Sequence, residues 1–136
     1  RRIGDRPMPP VEVVDMRQRM RAAHSSGRSE KRFDIKNDPG GIIDIEFLVQ
    51  YLILLGAHEH PDLVQWTDVV RQLNALAIAG VINDVTAHIL KQAYLVYRYL
   101  VHRLSLQQKP AKIAATRLKE HRQRVRRIWE QHVTGA

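Results

Sequence analysis

Phe33-Asp34-Ile35-Lys36-Asn37-Asp38-Pro39-Gly40-Gly41-Ile42-Ile43-Asp44-Ile45-Glu46-Phe47 decides how this chain is read. Phe33 to Lys36 alternates apolar and polar residues, the period of a short strand or extended segment. Asn37 to Gly41 collects turn formers. From about Ile42 to Ala57 the residues are apolar on nearly every face, which predicts a central, buried helix. A chain that turns so sharply into a buried helix, with a cation before the bend and two acids after it, carries more than an ordinary helical bundle requires.

The bend itself has chemistry to offer. Gly40 and Gly41 permit positive φ and remove side-chain bulk, so backbone N–H groups there are free to face an anion. They lead into a helix N-terminus, whose unpaired N–H groups and macrodipole favour phosphate, and Lys36 adds a point charge. Glu46 and Gln50 lie i,i+4 on one face, while Asp44 points elsewhere and sits in the first turn. In so apolar a helix each acid must be paired, hydrogen-bonded or engaged with a ligand. Without a ligand, Asp44 favours the helix dipole and Glu46 braces the helix through an ion pair with an arginine. Glu46 is the stronger candidate for bracing.

Outward from this centre the chain reads as helices. Residues 1–10 form a connector, with Arg6-Pro7-Met8-Pro9-Pro10 favouring extended backbone. Val11 to His24 places Val13, Met16, Met20 and Ala23 at helical spacing, and Ser25-Ser26-Gly27 stops it. The charged run Arg28 to Arg32 reads as an exposed loop. Thr67 is the expected N-cap of a helix running to Ala79, with Gly80 as its stop. Asn83 caps the longest helix, Asp84 to about Leu106, whose inward stripe is expected to hold Ile89, Ala93, Val96, Leu100 and Leu104. A last helix, about Ala111 to Val133, places Ala114, Leu118, Val125, Ile128 and Trp129 on one side and its arginines elsewhere. The expected fold is all-α: an antiparallel bundle of about five helices, with a short extended segment and a Gly-Gly turn before the central helix. Residues 11–136 form the helical domain.

Composition narrows the function. The chain of 136 residues is 44% hydrophobic, enough for one domain with its own core. It has no cysteine, which excludes disulfides, zinc-thiolate sites and thiol catalysis. No signal peptide or membrane span is legible, consistent with the cytoplasm. A start at Arg1 rather than methionine points to a piece of something longer. Twenty-two Lys and Arg against fourteen Asp and Glu give a formal charge of +8, which fits either a solvated basic surface or an anionic partner. Aromatics make up 6% and do not interleave with the basic runs, so stacking on single-stranded nucleic acid is poorly supported. His58-Glu59-His60 has the look of a metal cluster but lacks a third ligand at a metal-binding spacing, and HExxH is absent. Ser25 and Ser26 near His24 lack both an elbow motif and a partnered acid. Trp66 and Trp129 read as core or interface anchors.

The segment FDIKNDPGGIIDIEFLVQY resembles the GG-I-x-(D/E)-(I/V)-E-F-x-x-Q signature of the glutamine synthetase adenylyltransferases, bifunctional bacterial enzymes that add AMP to glutamine synthetase and remove it. The PII uridylyltransferases share the broader domain family. PVEVVDMRQRMRAAH upstream, the Trp66-Thr67-Asp68 helix start and the basic close Arg126-Arg127-Ile128-Trp129-Glu130 extend the likeness over nearly the whole chain. Such enzymes have two similar halves, each a nucleotidyltransferase domain followed by a helical domain. Asp44-Ile45-Glu46-Phe47 is similar to the adenylylating, C-terminal half. The resemblance therefore implies the helical domain of that half, with ATP and magnesium as cofactors of the full-length enzyme. It also implies a preceding catalytic domain, glutamine synthetase and the PII signal protein as partners, and Lys36, Gly40, Gly41, Asp44 and Glu46 near the nucleotide. The family's metal-binding G-S-D-x-D motif does not occur here. In-line transfer needs closely placed carboxylates to hold magnesium, so the fragment alone is expected to be inactive, to contain no catalytic or metal residues of its own, and to bind neither cofactor firmly. The competing expectation is a stand-alone basic helical module that binds nucleic acid or an acidic protein.

Overall fold

The structure, a computed structural model, describes residues 32–134. The expected connector over 1–10, the helix over 11–24, the serines and most of the charged loop lie outside the described residues. Strand β1 (Arg32–Asp34) leads through the turn into helix α1 (Ile42–Gly56). A 3₁₀ turn (Pro61–Gln65), helix α2 (Val69–Ile78) and helix α3 (Asp84–Leu106) follow. Strand β2 (Lys112–Ala114), helix α4 (Lys119–Trp129) and a closing π-helical turn (Glu130–Thr134) complete the order. The architecture is all-α with one two-stranded antiparallel ribbon.

Helix α1 is the hub, touching α2, α3, α4, the 3₁₀ turn and the closing turn. Its even spread of apolar residues explains this position, because a helix without a polar face must be covered from several sides. Ile45, Leu48 and Val49 are fully buried there, against Leu73 and Leu76 of α2, Leu90, Ala93 and Tyr97 of α3, and Val125 of α4. Local signals set the helix starts. The Asn83 side chain accepts from the Thr86 N–H at 2.7 Å, as the sequence predicts. At α2 the cap is Asp68, which accepts from the Arg71 N–H at 2.9 Å, one residue beyond the expected Thr67.

Two expectations are corrected. The α3 stripe is rotated: Ala87, Leu90, Ala93 and Tyr97 are buried, while Ile89, Val96, Leu100 and Leu104 are half-buried. Tyr97 takes the innermost position because Phe33 meets its ring edge-on, with centroids 5.8 Å apart. The last helix starts at Lys119, not Ala111. Lys112–Ala114 instead pairs with β1 in the register Phe33↔Ile113, with Ile35 N donating to Ala111 O at 2.9 Å. This pairing buries Phe33 and Ile113 and satisfies backbone groups that helical periodicity alone would have placed in α4. Leu118, in the left-handed conformation at φ 58°, then redirects the chain into α4.

Candidate functional site

The turn between β1 and α1 is built almost wholly from its own side chains. Asp34 Oδ1 accepts from the N–H groups of Lys36 and Asn37, both at 3.1 Å. Asp38 Oδ2 accepts from Asp34 N at 2.9 Å. These are the short-range bonds through which Asp replaces backbone partners in turns. The N–H groups that open α1 are satisfied instead by backbone carbonyls of the same segment. Gly41 N donates to Asp38 O at 2.9 Å, Ile42 N to Ile35 O at 2.9 Å, and Ile43 N to Lys36 O at 3.0 Å.

Asp44 closes the arrangement. Its side chain is fully buried and Oδ2 accepts from Gly40 N at 2.6 Å. A charge-assisted bond of this kind offsets part of the cost of burying a carboxylate. Gly40 has φ +83°, and a Cβ there would lie 2.7 Å from the Arg122 carbonyl oxygen of α4. A Cβ on Gly41 would run into the Ile35 carbonyl oxygen. The paired glycines therefore let the bend lie against α4 and against its own preceding strand. The N–H groups of residues 40 to 43, which the sequence reading offers to an anion, all donate inside the chain.

Lys36 on the turn and Glu46 and Gln50 on α1 face outward and are exposed, as are Leu54 and Leu55 near the end of the helix. The structure thus divides the residues picked from the sequence. Gly40, Gly41 and Asp44 come together at the bend, while Lys36 and Glu46 stay at the surface. Asp44 holds the bend through its bond from Gly40 N, while Glu46, the acid expected to brace the helix, is exposed. Both acids lie in the same apolar helix, but position 44 faces the bend and position 46 faces solvent. Glu46 has a neighbour that sequence reasoning missed. Burial raises the Tyr94 pKa above its ordinary 10.0, Arg98 opposes the rise, and Glu46 and Asp68 add to it. Tyr94 of α3 therefore lies within the electrostatic reach of Glu46, a long-range relation that local spacing does not reveal.

Behind the bend, Arg122 stacks over the Phe33 ring at 4.1 Å and donates from Nη1 to Ala115 O at 3.0 Å. The Tyr97 hydroxyl beside it is fully buried and has no hydrogen-bond partner among the described residues. Burial pushes its pKa well up, Arg122 pulls against that shift, and Asp44 adds to it.

The histidines hold ordinary positions. His58 is exposed and His60 half-buried at the end of α1, and His121 meets the Tyr97 ring edge-on at 6.3 Å. Trp129 is buried, and Trp66 is half-buried under the Arg71 guanidinium, 5.1 Å from its ring centre. Among the described residues no three His, Asp or Glu side chains gather as a metal site, and the Asp44 carboxylate is already held by Gly40. No helix among the described residues is long and apolar enough to cross a membrane.

Comparison with known proteins identifies relatives of the chain. The bifunctional glutamine synthetase adenylyltransferase/adenylyl-removing enzyme of Thioalkalivibrio sulfidiphilus (strain HL-EbGR7) is 42% identical over 118 residues, which is 87% of this chain and 12% of that enzyme. The chain thus spans a small part of the length of this relative. A family model described as GlnD PII-uridylyltransferase matches residues 12–113, from before β1 into β2. On that match over most of its length, the chain belongs to the GlnD PII-uridylyltransferase family.

Proposed function

We propose that residues 11–136 are the helical accessory domain of a cytoplasmic nucleotidyltransferase that transfers AMP from ATP to glutamine synthetase and so regulates nitrogen assimilation. In this reading residues 1–10 connect it to a preceding catalytic domain, which grips ATP and magnesium. The PII signal protein is a second partner of the whole enzyme. The observation that carries the proposal is the exposure of the polar side chains Lys36, Glu46 and Gln50 beside a turn whose N–H groups from Gly40 to Ile43 are all bonded within the chain. A helix so apolar gains nothing for its own packing from a glutamate and a glutamine one turn apart on its open side. They are available to a neighbour. Gly40, Gly41 and Asp44 act nearby by fixing the bend, and Lys36 carries the positive charge offered to the nucleotide.

This division of labour is tested with Lys36→Ala in the full-length enzyme. Adenylylation should fall by about tenfold or more, the loss of one charge-assisted contact, while the thermal midpoint is unchanged. Wild-type transfer by that variant removes Lys36 from the mechanism. The 136-residue chain alone should transfer no AMP when given ATP, magnesium and glutamine synthetase. Measurable transfer by it overturns the accessory role.

A further inference from the structure

Helix α3 has two apolar faces, and only one is used by the described structure. Ala87, Leu90, Ala93 and Tyr97 line its buried side. On the opposite side Leu95, Tyr99, His102 and Leu106 are all exposed. They fall at i, i+4, i+7 and i+11, the alternating four-and-three spacing of a helix–helix seam. Leu95 is 44% exposed, Tyr99 58% and Leu106 73%. Scattered exposed apolar residues are ordinary, but three in register along one stripe form a surface.

The charges beside this stripe have a single sign. Lys91 and Arg98 flank it on one side and Arg103 on the other, at the positions that set partner choice in paired helices. From position 85 to 119 there is no Asp or Glu, against seven Lys and Arg. Arg103 is held at the seam: its guanidinium lies 5.8 Å from the Tyr99 ring centre and Nη1 donates to the Tyr99 hydroxyl at 3.2 Å.

Charge and shape together select the occupant. A second copy would bring like charges together along the seam, an arrangement that repels. Nucleic acid would answer the charge but leave Leu95 and Leu106 against phosphate and water. We infer that the Leu95–Leu106 stripe docks an amphipathic helix of a partner surface, its leucine-type seam flanked by Asp or Glu. The apolar seam supplies affinity, and the basic flanks supply orientation and exclude basic partners. The inference uses neither Lys36, Glu46 nor Gln50 and stands apart from the proposal about adenylyl transfer.

The test is an NMR titration of the isotope-labelled 136-residue chain with synthetic helical peptides about three heptads long. One carries a leucine seam with Glu flanks, one the same seam with Lys flanks, and one Glu flanks with serine in place of the leucines. The first alone should bind and shift amides between residues 91 and 106. Leu95→Ser combined with Leu106→Ser should weaken it by about tenfold or more at an unchanged thermal midpoint. Lys91→Glu with Arg103→Glu should transfer the preference to the Lys-flanked peptide. Equal binding of the serine peptide, or shifts centred on α4, overturns the proposal by showing charge attraction alone. A dimer that forms without peptide and is dissolved by Tyr99→Glu overturns it in favour of a second copy.

Discussion

The Arg122 guanidinium lies 4.1 Å from the centre of the Phe33 ring, so a cation from the last helix covers the aromatic face of the first strand. The same residue's carbonyl oxygen sets the closest approach of the diglycine bend. Strand, bend and closing helix therefore meet at one point, and that point fixes where α1 begins.

Arg122→Ala should destabilise the chain by about 1–3 kcal/mol, combining the lost stacking with the lost bond to Ala115 O. Urea unfolding of Arg122→Ala, Phe33→Leu and the double variant would measure the pair. A coupling energy near zero would mean that the stack contributes nothing.

Replacement of either bend glycine should be costly without any ligand present. Gly40→Ala combines a positive φ with a clash against α4, and Gly41→Ala meets the Ile35 carbonyl. Each should lose about 2 kcal/mol or more. Gly80, also at positive φ but with open space around it, is the control and should lose only about 1 kcal/mol as alanine. Thermal unfolding of all three decides the matter. If Gly40→Ala and Gly41→Ala melted like the parent, the bend would not be the packing joint described here.

Asp44→Ala removes the acceptor of Gly40 N in a fully buried position and should cost about 2–4 kcal/mol. Glu46→Ala, at an exposed position of the same helix, should change stability by less than about 0.5 kcal/mol. Equal losses from the two would contradict the assignment of Asp44 as the brace.

Alkaline pH should loosen the fold through Tyr97. Its folded pKa is raised by burial, while the unfolded chain ionises near the ordinary 10.0. Below that pH both states hold the proton and the contribution is intact. As pH rises from 10 towards the folded value only the unfolded state releases the proton, so stability falls. Tyr97→Phe should be as stable as the parent or slightly more so at neutral pH, because it deletes a buried hydroxyl with no partner among the described residues. Its stability should also decline less steeply above pH 10. An identical alkaline decline in both proteins would exclude Tyr97 as the cause.

Much of this fold is legible in the sequence because it is set locally. Asn83 and Gly80 each mark a boundary through a side chain or a φ angle within a few residues, and the largely apolar composition of α1 marks it as the central helix. What escapes is decided at a distance. Lys112–Ala114 has helical neighbours in sequence but a strand partner some eighty residues upstream. Tyr97 sits deepest because Phe33 and His121 meet it there, which spacing within α3 does not disclose. At the candidate site the diglycine, Asp44 and Glu46 stand out as unusual from sequence alone. Which acid turns inward, and where the bend's N–H groups donate, depends on contacts with β1 and α4.

The central claim is that Glu46 and Gln50 form an outward face serving a catalytic neighbour. It is tested most directly by measuring AMP transfer to glutamine synthetase by the full-length enzyme carrying Glu46→Ala and Gln50→Ala, alongside unfolding of the 136-residue chain with the same changes. The account predicts a loss of transfer of about tenfold or more with an unchanged unfolding midpoint. Undiminished transfer, or a loss matched by unfolding of the domain, would contradict it.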